Sequence, residues 1–182
     1  MVDRLRNSGL LVLLLALPAL LAGQEEPPPD VWKPLRVLVG SWEGTGTGRW
    51  GDSTVEREYR FVLRGAYLRG STKSVYPPQE KNPEGEVHEE FSFYSYDRRA
   101  GKFMLRQFSV EKIVNRYVQE EISADGKTLV FRTESIENFR PGWRARETIK
   151  IVSDDEFIEI FELAPPEQDL QEYLRNHFHR KK

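Results

Sequence analysis

From Ser53 to Leu63 the chain alternates between apolar and polar positions. Val55, Tyr59, Phe61 and Leu63 fall on one side and Glu56, Glu58 and Arg60 on the other, which predicts a strand with one buried face. Arg64-Gly65-Ala66 turns into a strand over Tyr67 to Tyr76, and the polar, Pro-containing stretch Pro77 to Gly85 reads as a loop. Further strands are predicted in pairs: Glu86 to Tyr96 with Lys102 to Val110, Val114 to Ile122 with Thr128 to Ile136, and Trp143 to Val152 with Phe157 to Leu163. Asp125-Gly126, inside the second pair, is a strong hairpin signal. Ahead of them all, Gly40 to Gly48 carries Trp42 and then Gly44, Gly46 and Gly48 at alternate positions. Glycine inside a strand adds no packing and marks sharp bending or the close approach of another backbone. Evenly spaced short strands with tight turns predict an all-β chain, a closed antiparallel up-and-down β-barrel of about eight to ten strands. Trp42 is expected to plug its narrow end.

Helices are expected only at the two ends of this barrel. Asp30 caps a short N-terminal helix whose Val31, Trp32, Leu35, Leu38 and Val39 cover one opening. After Pro165-Pro166 a C-terminal helix is predicted over 166–178, because Leu170, Tyr173, Leu174, His177 and Phe178 fall on one helical face. His179 to Lys182 is then a solvated tail. Residues 1–23 read as a signal peptide, with Arg4 and Arg6 before the apolar run Leu10 to Leu21 and the small pair Ala22-Gly23 after it. Residues 24–30 form a Pro-rich linker, and 31–182 the barrel domain. The expectation is an exported protein, periplasmic or secreted, whose mature chain does not insert stably into a membrane. An uncleaved N-terminal anchor is the alternative.

Composition narrows the function classes. With 27 basic and 29 acidic side chains the formal net charge is −2, so there is no electrostatic reason to expect nucleic acid as a partner. The absence of cysteine excludes disulfides, a thiol nucleophile and thiolate metal sites. There is no Gly-x-Ser-x-Gly elbow or phosphate-cradling loop, and the Gly-x-Gly-x-Gly of the first strand precedes no helix, so it is not a dinucleotide motif. The histidines are His88, His177 and His179; none has zinc-protease spacing, and at a frayed helix end His177-x-His179 is poor metal geometry. No metal site is expected.

The run Leu38-Val39-Gly40-Ser41-Trp42-Glu43-Gly44-x-Gly46, with Glu86-Val87-His88-Glu89 and Tyr94-Ser95-Tyr96-Asp97 downstream, resembles lipocalin-like (calycin) barrel families of unknown function in bacteria, related to nitrobindin-type haem-binding barrels. The resemblance implies a barrel with an interior cavity, and one of Arg140, Arg144 and Arg146 is a candidate for the arginine that lies over the equivalent of Trp42 in lipocalins. It leaves the ligand open. The histidine that holds iron in nitrobindin-type barrels aligns with Tyr173 here, so the haem site does not transfer directly and no cofactor is expected. Tyrosine ligation, or His177 acting in its place, are the two ways a haem site would survive.

Alternation also nominates an interior site. Gln107 shares a face with Phe103 and Leu105, Asn115 with Ile113 and Tyr117, and Glu147 with Trp143, Ile149 and Ile151. A cavity with a few convergent polar groups is the usual form of a small-molecule pocket. Candidate ligand-binding residues are therefore Phe103, Gln107, Tyr117, Trp143 and Glu147, together with Trp42, Tyr59, Phe91 and Phe93. Arg144 and Arg146 fall opposite Trp143 and Glu147, on a solvated charged face. The leading expectation is a non-enzymatic, lipocalin-like binding protein holding a small, largely apolar ligand. An isomerase or hydrolase using His88, Tyr117 or Glu147 as acid or base, and an interaction module acting through the barrel rim and Pro77 to Gly85, are the alternatives.

Overall fold

In the computed structural model, residues 30–182 are described, and they form one continuous antiparallel meander. The signal peptide and all but the last residue of the linker lie outside the described residues. The strands are β1 (Gly40–Gly48), β2 (Gly51–Val62), β3 (Tyr67–Tyr76), β4 (Glu86–Asp97), β5 (Lys102–Ser109), β6 (Val114–Ile122), β7 (Thr128–Glu137), β8 (Arg144–Ser153), β9 (Glu156–Ala164) and β10 (Gln171–Arg180). Each pairs with its neighbours in sequence, and β1 pairs with β10 to close a ten-stranded barrel with no free edge.

The glycines of β1 are explained by that closure. A Cβ on Gly44 would lie 1.9 Å from the His177 carbonyl oxygen, and one on Gly48 2.4 Å from that of Tyr173, so only bare backbone lets β10 come this close. Trp42, on the same inward face, is buried at the lower end, where its Nε1 donates to the Leu38 carbonyl at 2.7 Å. The short N-terminal helix is a 3₁₀ helix, Lys33–Leu38, whose Leu35 and Leu38 are fully buried against this end. Trp32 packs on Phe61 and Phe103, with ring centroids 5.3 and 5.4 Å away. Val31 and Val39, expected in this cover, are exposed instead.

The predicted C-terminal helix 166–178 is corrected to a strand. Gln171–Arg180 is β10, with Asn176 and Phe178 buried inward and a register shift between Glu172 and Leu174. The helical periodicity of Leu170, Tyr173, Leu174 and Phe178 was misleading because that shift breaks the period of two that would have marked the strand. β1 and β9 each need an antiparallel partner, and satisfying two rows of backbone groups outweighs local helical propensity. The supposed tail is anchored as well. The Arg180 guanidinium lies 4.2 Å from the Trp42 ring centroid and donates to the carbonyls of Val37 at 2.7 Å and Val39 at 2.8 Å. The arginine over Trp42 thus comes from β10 rather than from the Arg140 to Arg146 group.

Below mid-height the barrel is solid. Phe157 stacks on Phe178 with centroids 4.5 Å apart, meets Trp42 edge-on at 4.7 Å and lies 6.4 Å from Tyr59, in a buried cluster that also includes Tyr94, Phe103, Leu105 and Phe131. The upper half is open, and there the inward positions become polar.

Candidate functional site

Alternation along β2 turns Ser53, Val55, Arg57 and Tyr59 inward, placing an arginine directly above the aromatic core. Glu159 occupies the equivalent inward position of β9, between Phe157 and Phe161. The guanidinium of Arg57 donates to both Glu159 carboxylate oxygens, with Nη2 to Oε2 at 2.8 Å, and each side chain is only 6% exposed. Arg57 also donates to Thr72 Oγ1 at 2.8 Å and to the Tyr59 hydroxyl at 3.0 Å, while Asn176 Nδ2 donates to Glu159 Oε2 at 2.9 Å.

These contacts set the charge of the floor. Burial works against the Arg57 cation, but the Glu159 charge outweighs it and holds the arginine well above its ordinary value. Burial likewise works against the Glu159 carboxylate, and Arg57 overcomes it to keep that group below the usual range. Glu147, inward on β8, has no cation of its own. Burial and the neighbouring Glu159 charge push it well above the usual carboxyl value, which favours its protonated form beside the Glu159 carboxylate. Glu90, half-buried on β4, is pushed up to about 7, chiefly by burial, with Arg57 pulling the other way.

Above this floor lies a cavity of about 270 Å³. Ile113, Ile136, Phe139, Phe161, Leu163 and Leu174 give it apolar walls, and Gln107, Glu147, Glu159 and Asn176 line it from below. Trp50, Tyr76, His88, Glu111 and Tyr173 ring the mouth. There Trp50 Nε1 donates to the Tyr173 hydroxyl at 2.7 Å, and His88 Nδ1 lies 2.8 Å from Glu111 Oε1. Among the described residues, Glu147 Oε1, Asn176 Oδ1 and the Tyr117 hydroxyl are buried without a hydrogen-bond partner. Unpaired buried polar atoms are rare enough to mark a site where a ligand or solvent would complete the network.

The nine residues nominated from sequence divide by depth and by face. Gln107 and Glu147 line the cavity. Trp42, Tyr59, Phe103 and Tyr117 point inward but are buried in the solid lower half and beneath the floor. Trp143 sits at the top of the wall, edge-on to Phe139 at 5.4 Å with Arg140 stacked over it. Phe91 and Phe93 are corrected to the outer surface, because inward alternation on β4 runs through His88, Glu90, Ser92 and Tyr94. On that surface Phe91 pairs across the sheet with Phe108 and lies under Arg69. Arg144 and Arg146 face outward as expected, Arg146 bridging to Glu162 at 2.5 Å.

Sequence reasoning missed Arg57, Glu90, Glu159 and Asn176. Arg57 and Glu159 carried a signal, a charged residue in step with the apolar face of its own strand, whereas Glu90 falls in the polar phase of β4, opposite Phe91 and Phe93. Asn176 was concealed by the helical reading. The strand also separates the two residues of the haem alternatives: Tyr173 lines the cavity mouth, whereas His177 points outward from the barrel, towards Glu156. In strand β10 His177 therefore cannot stand in for Tyr173 from within.

A closed ten-stranded antiparallel barrel, capped below and open above over a polar floor, is a lipocalin-like β-barrel. Comparison with solved structures agrees. The chain is similar to Rv2717c from M. tuberculosis, with a TM-score of 0.65, 21% sequence identity and coverage of 85% of this chain and 99% of that one. It is also similar to the S-type phycobiliprotein lyase CPES from Guillardia theta, with a TM-score of 0.55, 16% identity and coverage of 85% and 94%. At these identities the likeness is one of fold. No protein-family model and no curated protein matches the sequence.

Proposed function

We propose that this protein is an exported binding barrel that holds a small molecule with an apolar body and a nitrogen-bearing, hydrogen-donating end. The observation that carries the reading is the pairing of apolar walls with a floor of unpartnered buried acceptors, Glu147 Oε1 foremost. An acceptor left unpaired in a low-dielectric site is costly, and a donor that reaches it recovers that cost, so N–H or ammonium groups are favoured over carboxylates. A carboxylate ligand would meet Glu159 and Glu90 with like charge. At about 270 Å³ the cavity falls just below the usual range of about 300–1,000 Å³, which suits a compact ligand. A phycobiliprotein lyase among the structural neighbours is compatible with a ligand-holding barrel.

The test is native mass spectrometry of protein purified from its own host, followed by thermal-shift screening with matched small amines, alcohols and carboxylates. Amines are expected to raise the melting temperature, and Glu147→Leu to abolish that rise. Preference for carboxylates, or a ligand shift untouched by Glu147→Leu, would overturn the reading. No stoichiometric haem is expected; a saturable Soret shift at one equivalent that disappears in Tyr173→Phe would show otherwise.

The pairing of His88 with Glu111 at the mouth favours one second reading, an acid–base enzyme acting on the same ligand, because a carboxylate orients the imidazole. Turnover of a captured ligand that is lost in His88→Gln would establish it, and binding without turnover would remove it.

A further inference from the structure

The helix that made His177-x-His179 a poor metal motif does not exist, and the strand that replaces it reverses the argument. On β10 the inward positions are Asn176 and Phe178, so His177 and His179 project together from the outer face. Their ring centroids are 4.6 Å apart. On one flank the register sets Glu156 of β9 directly across from His179, and its Oε1 lies 2.6 Å from His177 Nε2. On the other flank Glu43 of β1 stands opposite His179, exposed and in only a 3.9 Å contact with Lys181.

We infer that His177, His179 and Glu156 form a site for a divalent transition-metal ion of the zinc, nickel or copper class on the outer wall of the barrel. Imidazole nitrogen with one carboxylate is the donor set these ions prefer, whereas magnesium and calcium require mostly oxygen ligands. One ligand atom from each residue lies within 4.8 Å of the other two. A zinc ion with bonds near 2.0–2.1 Å needs its ligands about 3.4 Å apart, so the 2.6 Å His177–Glu156 contact opens to admit the ion while the exposed His179 ring rotates towards it. The backbone does not need to move. Glu43 or water would supply the fourth position.

The location gives the site a consequence. His177 and His179 belong to the strand that closes the barrel, and Glu156 to its neighbour, so a bound ion clips β9 to β10 beside the β1–β10 seam. The ordinary alternative is a solvated His177–Glu156 contact, which would contribute little.

Titration of Zn²⁺ into the full chain decides between them. Calorimetry and histidine NMR resonances are expected to report one saturable equivalent in the micromolar range or tighter, with a rise in melting temperature. His179→Ala, at an exposed position where folding is not at stake, should weaken binding by more than the roughly 10–100-fold that loss of a ligand's hydrogen-bond support costs. His177→Ala should do the same, and His88→Ala, at the separate Glu86, His88 and Glu111 group of the mouth, should leave binding unchanged. Absence of saturation below millimolar Zn²⁺, or binding lost in His88→Ala and kept in His179→Ala, would overturn the inference.

Discussion

Replacing Arg57 by Met removes the one cation that, among the described residues, is paired with the buried carboxyls of the barrel, and its effect on stability has a calculable size and pH signature. Both members of the Arg57–Glu159 pair are nearly inaccessible, and the arginine also donates to Thr72 and Tyr59. Removing one partner of a buried ion pair costs about 3–5 kcal/mol, because the other charge is left without compensation. Arg57→Met should therefore destabilise the fold by about 4 kcal/mol at pH 7. In the native protein Glu159 is held below its ordinary value, so its contribution is complete above the unfolded value of 4.5 and is lost as the pH falls through the lower folded one. Without Arg57, burial governs the carboxyl and raises it above 4.5. The penalty of the variant is then complete at alkaline pH and shrinks as the pH falls towards 4.5. Urea unfolding between pH 4.5 and 8, with the m-value monitored, measures both effects. Arg57→Met/Glu159→Met should return to within about 2 kcal/mol of the parent, since apolar replacement of a whole buried pair is often near neutral. A pH-independent penalty below about 1 kcal/mol, or a double variant as unstable as the sum of the singles, would refute the reasoning.

Glu90→Gln tests the other titrating group of the floor. With a folded value of about 7 against 4.5 unfolded, Glu90 lowers stability progressively as the pH rises between them, so the variant should gain at most about 3 kcal/mol above pH 7.5 and nothing at pH 4.5. Equal gains in thermal stability at both pH values would contradict this. Gly44→Ala drives a Cβ into the β10 backbone and should cost more than about 3 kcal/mol or prevent barrel closure. Gly46→Ala meets only the side-chain atoms of Asn176 and Ser53 below 3 Å, and urea midpoints should rank it clearly milder. Arg180→Met loses the cation over Trp42, the bonds to the backbone carbonyls of Val37, Val39 and Asp154, and the pairing with the Asp155 carboxylate. A loss of about 2 kcal/mol with a shift in Trp fluorescence is expected, and unchanged emission would argue against the stacking.

The strands of this barrel were legible because each has one wet face and one dry face, and the eight predicted from Ser53 onward match β2 to β9 within about two residues at each end. β10 was not legible, since its register shift disrupts the alternation and a chance helical stripe fills the gap. Its identity is fixed by a partner almost a whole chain length away, the glycine face of β1, and a local window does not contain that information. The site was legible at Gln107, Asn115 and Glu147, with His88 named as a candidate acid or base; all four line the cavity. Arg57 and Glu159 stood in phase with buried aromatic residues, yet each suits solvent when considered alone. They are tolerable inside the barrel because they face each other across it, and that proximity follows from closure rather than from either strand.

The division of the barrel into a solid lower half and a polar upper half bears on what the upper half can hold. Aromatic packing around Phe157, the 3₁₀ cover and the Arg180 anchor stabilise the lower half without help from the cavity. Hence the floor can retain groups that reduce stability. Arg57 and Glu159 offset each other, and burial favours the protonated form of Glu147. Glu90 then decides the balance, neutral in acid and negative above about pH 7. A cationic ligand entering at neutral pH would favour the ionised form of Glu90 and lower its proton affinity, and binding would release a fraction of a proton that falls towards zero as the pH rises above 7. A neutral N–H donor would release none. Calorimetric titration of the captured ligand in two buffers of different ionisation enthalpy measures that fraction. Net proton uptake on binding at pH 7 would contradict the sign derived for a cation and redirect the search towards anionic ligands.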